Sequence, residues 1–203
     1  MRTAPYRIET PRLVVRCYAP DDAQRLKECM DSSLPELQER MPWALADPQS
    51  VEEKVQLLRG MRAQFDTDAD YVMGIFDQAG TRQLGGTGLH PRDSAALAIG
   101  YYIRTDSTGQ GLARESTGVL VDVGLRVMGA DRIEIMVEPD NAPSLAIPRG
   151  LGFVEEGLLR GRCEWPGRAP RDVIMFSMFP DTWDPERASS YRAFDAQGRL
   201  IQP

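Results

Sequence analysis

The stretch Thr108-Gly-Gln-Gly-Leu-Ala-Arg-Glu115 has the residue types and spacing best suited to chemistry in this sequence. It falls where an apolar run, Ala96 to Arg104, reads as a strand and gives way to a helical pattern. Gly109 and Gly111 permit backbone conformations closed to other residues, so successive N–H groups can turn inward as a nest while the new helix adds the positive end of its dipole. A phosphate or pyrophosphate suits such a turn. Neither the P-loop ending Gly-Lys-Ser/Thr nor the three-glycine dinucleotide fingerprint fits these residues. A ligand-free strand-to-helix turn remains the alternative for two glycines alone.

Downstream come the strand Asp131-Arg-Ile-Glu-Ile-Met-Val-Glu138, a turn Pro139-Asp-Asn141, a short helix from Ala142 and a closing Gly150-Leu-Gly-Phe153. Loop, helix, strand, Asn-x-x-Ser and Leu-Gly-Phe in this order resemble the GNAT acetyltransferases, over the span from Ile8 to Pro180. Within that superfamily, Glu9-Thr-Pro-Arg-Leu13, Met41-Pro-Trp43 and Asn141-x-x-Ser144 are most similar to the ribosomal-protein N-terminal acetyltransferases of the RimJ/RimL type. The resemblance implies an N-acetyltransferase that passes acetyl from acetyl-coenzyme A to a primary amine by direct attack in a ternary complex. The acceptor it implies is a protein N-terminal α-amine or a small-molecule amine. It further implies that backbone around Tyr102 and Ile103 meets the pantetheine arm and that Gly109, Gln110, Gly111, Leu112 and Ala113 cradle the pyrophosphate. Asn141 would hold the arm, and Ser144 would protonate the departing thiolate. Thr108 stands where the family usually carries Arg or Gln, which removes one side-chain contact and leaves the amides in place. A rival from another class is a degenerate acyl-coenzyme A sensor or interaction protein that kept the loop and lost turnover. Thr108 and the absence of a tyrosine from the helix after Asn141 favour that rival.

Acetyl transfer needs a neutral amine. At pH 7 an α-amine of pKa ~7.8 costs about 1 kcal/mol to deprotonate, against about 4.6 for a lysine of pKa ~10.4. A weakly basic amine therefore needs one modest base. Glu134 and Glu138 are candidates, because central parallel strands are ordinarily apolar on both faces. Each has a solvated or arginine-paired alternative, with Arg132 the nearest partner for Glu134. His90, the single histidine, ends a glycine-rich strand near the expected acceptor cleft and is a candidate for substrate contact or proton acceptance. Trp43 either lines that cleft or plugs the core edge. Asn141 also reads as a helix N-cap with Pro143 in the first turn.

The elements that must position these groups follow from periodicity. Leu13, Val15 and Cys17 alternate with Val14, Arg16 and Tyr18 as a strand. Asp21-x-x-Gln24 and Ser50-x-x-Glu53 read as capping boxes opening helices, with a proline-rich loop between them. Strands at 71–77, 83–90 and 96–104 follow, then a helix over 111–128 whose crossover makes the strand at 133–137 parallel to the one before it. Two strands, 153–162 and 172–179, close the pattern. The fold class is therefore α/β, one domain over 8–180 with a mixed sheet of about seven strands flanked by helices. Residues 181–203 read as a polar tail, the kind of extension that is often poorly ordered.

Composition agrees with that outline. A chain of 203 residues buries one substantial core. Three widely spaced cysteines with no metal-binding pattern imply reduced thiols, no metal and a cytoplasmic setting. A formal charge of −6 argues against general nucleic-acid binding. It also obliges a polyanionic ligand to find a local positive patch, for which Arg104, Arg114 and Arg149 are the candidates. No apolar stretch is long enough for a membrane span, and a homodimer stays open.

Overall fold

The computed structural model describes residues 3–92 and 95–201. Its strands are β1 (Arg7–Glu9), β2 (Leu13–Cys17), β3 (Tyr71–Asp77), β4 (Gln83–Pro91) and β5 (Ala96–Ile103), then β6 (Arg132–Val137), β7 (Val154–Cys163), β8 (Arg171–Met178), β9 (Arg192–Phe194) and β10 (Leu200–Ile201). They form one ten-stranded sheet in the order β10-β9-β1-β2-β3-β4-β5-β6-β8-β7. Every neighbouring pair is antiparallel except β5 with β6, whose parallel register follows from the helical crossover between them. The class matches the expectation, and the sheet is larger than the seven strands read from pattern. The additional three, β1, β9 and β10, have three, three and two residues, too few to display a period.

Alternation sorts the core onto the two faces. Leu13, Val15 and Cys17 are buried in the larger cluster, whereas Val14 packs into the smaller one across the sheet. Helices α1 (Ala23–Asp31), α2 (Leu34–Arg40) and α3 (Val51–Asp66) cover the Val14 face, with Leu26, Met30, Leu37 and Leu58 in its cluster. Helices α4 (Leu112–Asp122) and α5 (Ala142–Leu151) cover the other, where Val119, Leu120, Leu145 and Leu151 are buried. Each fully buried aliphatic side chain contributes roughly 1.5–3 kcal/mol relative to exposure, so the apolar stripes fix which face each helix covers.

Of the two expected capping boxes, one forms. Ser50 Oγ accepts from Glu53 N at 3.1 Å while Glu53 Oε2 accepts from Ser50 N at 2.7 Å, opening α3. At α1 the box fails, because Asp22 rather than Asp21 precedes the helix and makes no side-chain cap bond. The Asp22 carboxylate is buried instead. Burial alone would raise its pKa, but hydrogen bonds from Arg16 at 2.6 and 2.7 Å and from Ala19 N at 2.9 Å hold it below the ordinary value. The proline-rich stretch contains α2, with Pro35 in its first turn where a missing N–H is harmless. Lys54 of α3, fully buried, faces Asp47 Oδ1 at 2.6 Å and thereby fastens that stretch to the helix layer.

The segment from Asp181 onward is not a loose extension. β9 pairs with β1 and β10 with β9. Trp183, buried, donates Nε1–H to Asp122 Oδ1 at 2.8 Å, and Tyr191 donates its hydroxyl to Asp122 Oδ2 at 2.7 Å. Aromatic residues among polar neighbours were the available signal. Their partner Asp122 lies far away in the sequence, so local pattern could not supply it.

Candidate active site

Two features converge at the middle of the sheet, and the first is a gap. β5 and β6 pair only from Ala96 with Arg132 to Ala98 with Glu134. Beyond that point β5 continues beside β4 as far as Ile103, and β6 continues beside β8 as far as Val137. The facing edges of the two parallel strands therefore splay, leaving backbone groups around Ile99 to Ile103 without a ladder partner on that side. Such an edge accepts an extended amide-bearing ligand as it would a strand.

The second feature is the turn after β5. Gly109 and Gly111 have φ of 75° and 76°, the left-handed region that glycine occupies without strain. No amide from Gly109 to Arg114 donates to a protein acceptor among the described residues. These amides sit at the N-terminus of α4, where its dipole favours an anion. Leu112, buried, anchors the turn in the core. Arg114 is exposed beside it and donates to Gly150 O at 3.1 Å. Arg149 pairs with Glu155 at 3.0 Å, and Arg104 pairs with Asp106 at 2.8 Å. Of these three arginines, only Arg114 belongs to the turn.

Sequence reasoning missed the brace under this turn. Arg12, between β1 and β2, donates Nη1–H to Gln110 O at 2.9 Å and Nε–H to Glu115 Oε2 at 2.6 Å. Glu115 Oε1 accepts from Thr10 Oγ1 at 2.6 Å. A carboxylate would otherwise repel an anion at this helix N-terminus. The guanidinium neutralises it and fixes the Gln110 peptide.

Asn141 and Ser144 sit across the splay. Asn141 caps α5, its Oδ1 accepting from Ser144 N at 3.2 Å. Ser144 Oγ donates to the Tyr101 hydroxyl at 3.1 Å, and that hydroxyl donates to Ser144 O at 3.1 Å. Tyr101 was not anticipated, because it comes from β5 and not from the helix after Asn141. Burial pushes its pKa up to about 12 against the lowering effect of the Ser144 bond.

A cavity of about 670 Å³ opens from the α1–α3 side and reaches Tyr101, Asn141 and Ser144 through the splay. Trp43 and His90 both line it. Trp43 packs tilted against Tyr102, ring centroids 5.5 Å apart. The glycine-rich strand β4 has a spatial purpose here: a Cβ at Gly86 would stand 2.5 Å from the Tyr102 ring, and one at Gly88 would stand 2.8 Å from the His90 ring. The missing side chains seat both rings on the sheet. His90 Nε2 lies 3.6 Å from where a Cβ of Gly100 would be, at the start of the splay. Its Nδ1 is 2.7 Å from Asp70 Oδ1, which also accepts from Tyr71 N at 3.0 Å. In the neutral tautomer that donates Nδ1–H to that carboxylate, Nε2 carries the lone pair.

Both glutamates take the arginine-paired alternative. Glu134 does not line the cavity and binds Arg132 Nε at 2.6 Å. Glu138 does line it, but as the anion of a clamp: Arg40 donates at 2.8 Å and Arg171 at 3.0 Å to both oxygens. Both its oxygens are taken up by guanidiniums, so the clamp fits a role in joining α2, β8 and the end of β6. Among the described residues no cluster of three or more His, Cys, Asp or Glu is set to hold a metal, and no helix is long and apolar enough to cross a membrane.

Comparison with known proteins agrees with this geometry. The family model described as acetyltransferase (GNAT) domain matches residues 12–154. The uncharacterized N-acetyltransferase p20 of Bacillus licheniformis is 37% identical over 93 residues, 46% of this chain and 52% of that protein, so the match spans about half of the relative's length. In structure, the chain is similar to RimJ of Mycobacterium smegmatis in complex with CoA-disulfide, with a TM-score of 0.78, 22% identity and coverage of 89% of this chain and 90% of the other. It is also similar to the ribosomal-protein-S5-alanine acetyltransferase of Vibrio fischeri, with a TM-score of 0.76, 22% identity and coverage of 88% and 99%.

Proposed function

Since the chain belongs to the GNAT acetyltransferase family, we propose that it transfers acetyl from acetyl-coenzyme A to a primary amine by direct attack in a ternary complex. The observation that carries this reading is the meeting of two approaches at one point. The unpartnered amides of Gly109 to Arg114 and the splayed edge of β5 lead to Ser144 from one side. The cavity past His90 arrives from the other. A donor with two phosphates and an amide-bearing arm fits the first approach. An amine fits the second.

The residues then divide the chemistry. Asn141 and the backbone of Tyr102 and Ile103 hold the arm, Arg114 adds charge at the pyrophosphate, and Ser144 with Tyr101 faces the departing thiolate. Both hydroxyl protons of the Ser144–Tyr101 pair are engaged within the pair, so one of them turns to the thiolate as its charge develops and donates to it. His90 takes the ammonium proton at Nε2, with Asp70 fixing the tautomer. Glu138 and Glu134 act on neighbouring arginines rather than on the amine.

A protein N-terminus and a small-molecule α-amine both meet the weak-base requirement. The three free thiols support a reducing, cytoplasmic setting. The test is thiol release from acetyl-coenzyme A across a panel of amines, run beside calorimetry of coenzyme A binding. Acetyl-coenzyme A-dependent release that requires an amine supports the reading. Tight binding with no turnover on any amine supports a degenerate acyl-coenzyme A sensor instead.

A further inference from the structure

We infer that the acceptor is an α-amine carried on a large apolar body of aromatic size, a refinement that rests on the amine-acetylation reading above. The cavity that leads to His90 is walled by Leu26 and Met30 of α1, Leu57 and Met61 of α3, and the Trp43–Tyr102 pair. Apart from the exposed Arg92 and Arg162, the polar side chains on these walls are largely engaged. Asp47 faces Lys54, Glu138 lies between Arg40 and Arg171, and His90 Nδ1 is bound to Asp70. Gln49 is the exception: its Oε1 is buried without a partner among the described residues and takes one donor from the acceptor.

A polar peptide laid against the Leu26, Met30, Leu57 and Met61 side of this cavity would bury successive N–H and C=O groups beside side chains that offer them no partner, which is costly for each group. An apolar body meets no such opposition and gains from burial. The thioether side chains of Met30 and Met61 adapt to bodies of varied outline. At about 670 Å³ the cavity falls within the range of small-molecule sites. It holds an aromatic side chain together with the acetyl end of the donor. One α-amine, one apolar side chain and one N–H for Gln49 describe the amide of an apolar amino acid.

The test is a matched series of amino-acid amides with the same α-amine and the same amide group, differing only in side chain: phenylalanine, leucine, alanine and serine. kcat/KM is expected to be higher for the phenylalanine and leucine amides than for alanine by about 100-fold, with serine no better than alanine. Met61→Gln, partly buried on the wall and remote from the donor loop, is expected to cut the phenylalanine preference about tenfold while coenzyme A affinity stays unchanged. Trp43→Ala, at a half-exposed position, serves as the second variant if Met61→Gln is poorly folded. Equal rates across the series, or faster turnover of a polar N-terminal peptide than of phenylalanine amide, would overturn the inference while leaving the enzyme reading intact. Failure to acetylate any amine with acetyl-coenzyme A bound would overturn the amine-acetylation reading itself, and the inference with it.

Discussion

Replacing Arg12 by Met tests whether the donor loop depends on a brace that touches no ligand. Methionine keeps the length of the stem and removes three contacts: two to Glu115 and one to the Gln110 carbonyl. The Glu115 side chain is 6% exposed and that of Arg12 50%. Removing one partner of a fully buried pair costs about 3–5 kcal/mol, but here water reaches the pair through the half-exposed arginine, so a stability loss of about 1–2 kcal/mol is expected. The same change leaves an unpaired carboxylate in the first turn of α4, beneath the amides that meet the pyrophosphate, and releases the Gln110 peptide. Weaker coenzyme A binding by about tenfold, or ~1.4 kcal/mol, is expected. Glu115→Gln placed on top removes the stranded charge while keeping the Thr10 hydrogen bond, so the double variant should recover most of both losses. Denaturant unfolding and calorimetric titration with coenzyme A measure the cycle. Wild-type affinity in Arg12→Met, or losses that simply add in the double variant, would refute the brace.

Other expectations follow from the same contacts. Gly111→Val should weaken coenzyme A binding in a folded protein, because φ of 76° strains a β-branched residue by about 1–3 kcal/mol; unchanged affinity by calorimetry would remove the loop from the donor site. Ser144→Ala should lower kcat by about 10- to 1,000-fold with coenzyme A affinity retained. With Tyr101 raised to about 12 by burial, its hydroxyl stays protonated at ordinary assay pH, so Tyr101→Phe should lower the rate by a pH-independent factor. His90→Gln should reduce the neutral-pH rate by about 6-fold at most, the ~1 kcal/mol that a pKa ~7.8 amine costs to deprotonate, and Asp70→Asn less, with both deficits shrinking as pH rises and the amine supplies its own neutral form; a pH-independent deficit would mean positioning only. Glu138→Gln should raise the acceptor KM with little pH dependence by loosening the Arg40–Arg171 clamp, and a deficit that vanishes at high pH would restore Glu138 as the base.

Much of this was legible in the sequence because it is local. The Gly109–Gly111 turn, the Asn141 cap, the Ser50–Glu53 box and the central strands all depend on neighbours within a few residues, and they formed as read. What was not legible depends on residues far apart in the chain. Arg12 meets Glu115, Tyr101 meets Ser144, and Asp122 gathers Trp183 and Tyr191 only once the sheet is assembled. Glu138 illustrates the limit best. It follows directly on β6 and lines the cavity, yet its contacts come from Arg40 of α2 and Arg171 of β8, which no spacing rule connects to it. The setting of His90 was not legible for the same reason, since Asp70 and the Gly88 that seats its ring are brought together by the β3–β4–β5 pairing.

The most direct test of the central claim is a steady-state assay of the wild-type chain with acetyl-coenzyme A and an α-amine, following thiol release and acceptor mass together. The account predicts one thiol released for each acetyl gained by the amine, with both falling in Gly111→Val at subsaturating acetyl-coenzyme A and in His90→Gln at neutral pH. Release of thiol without acetylated amine, or full activity in both variants, would contradict it.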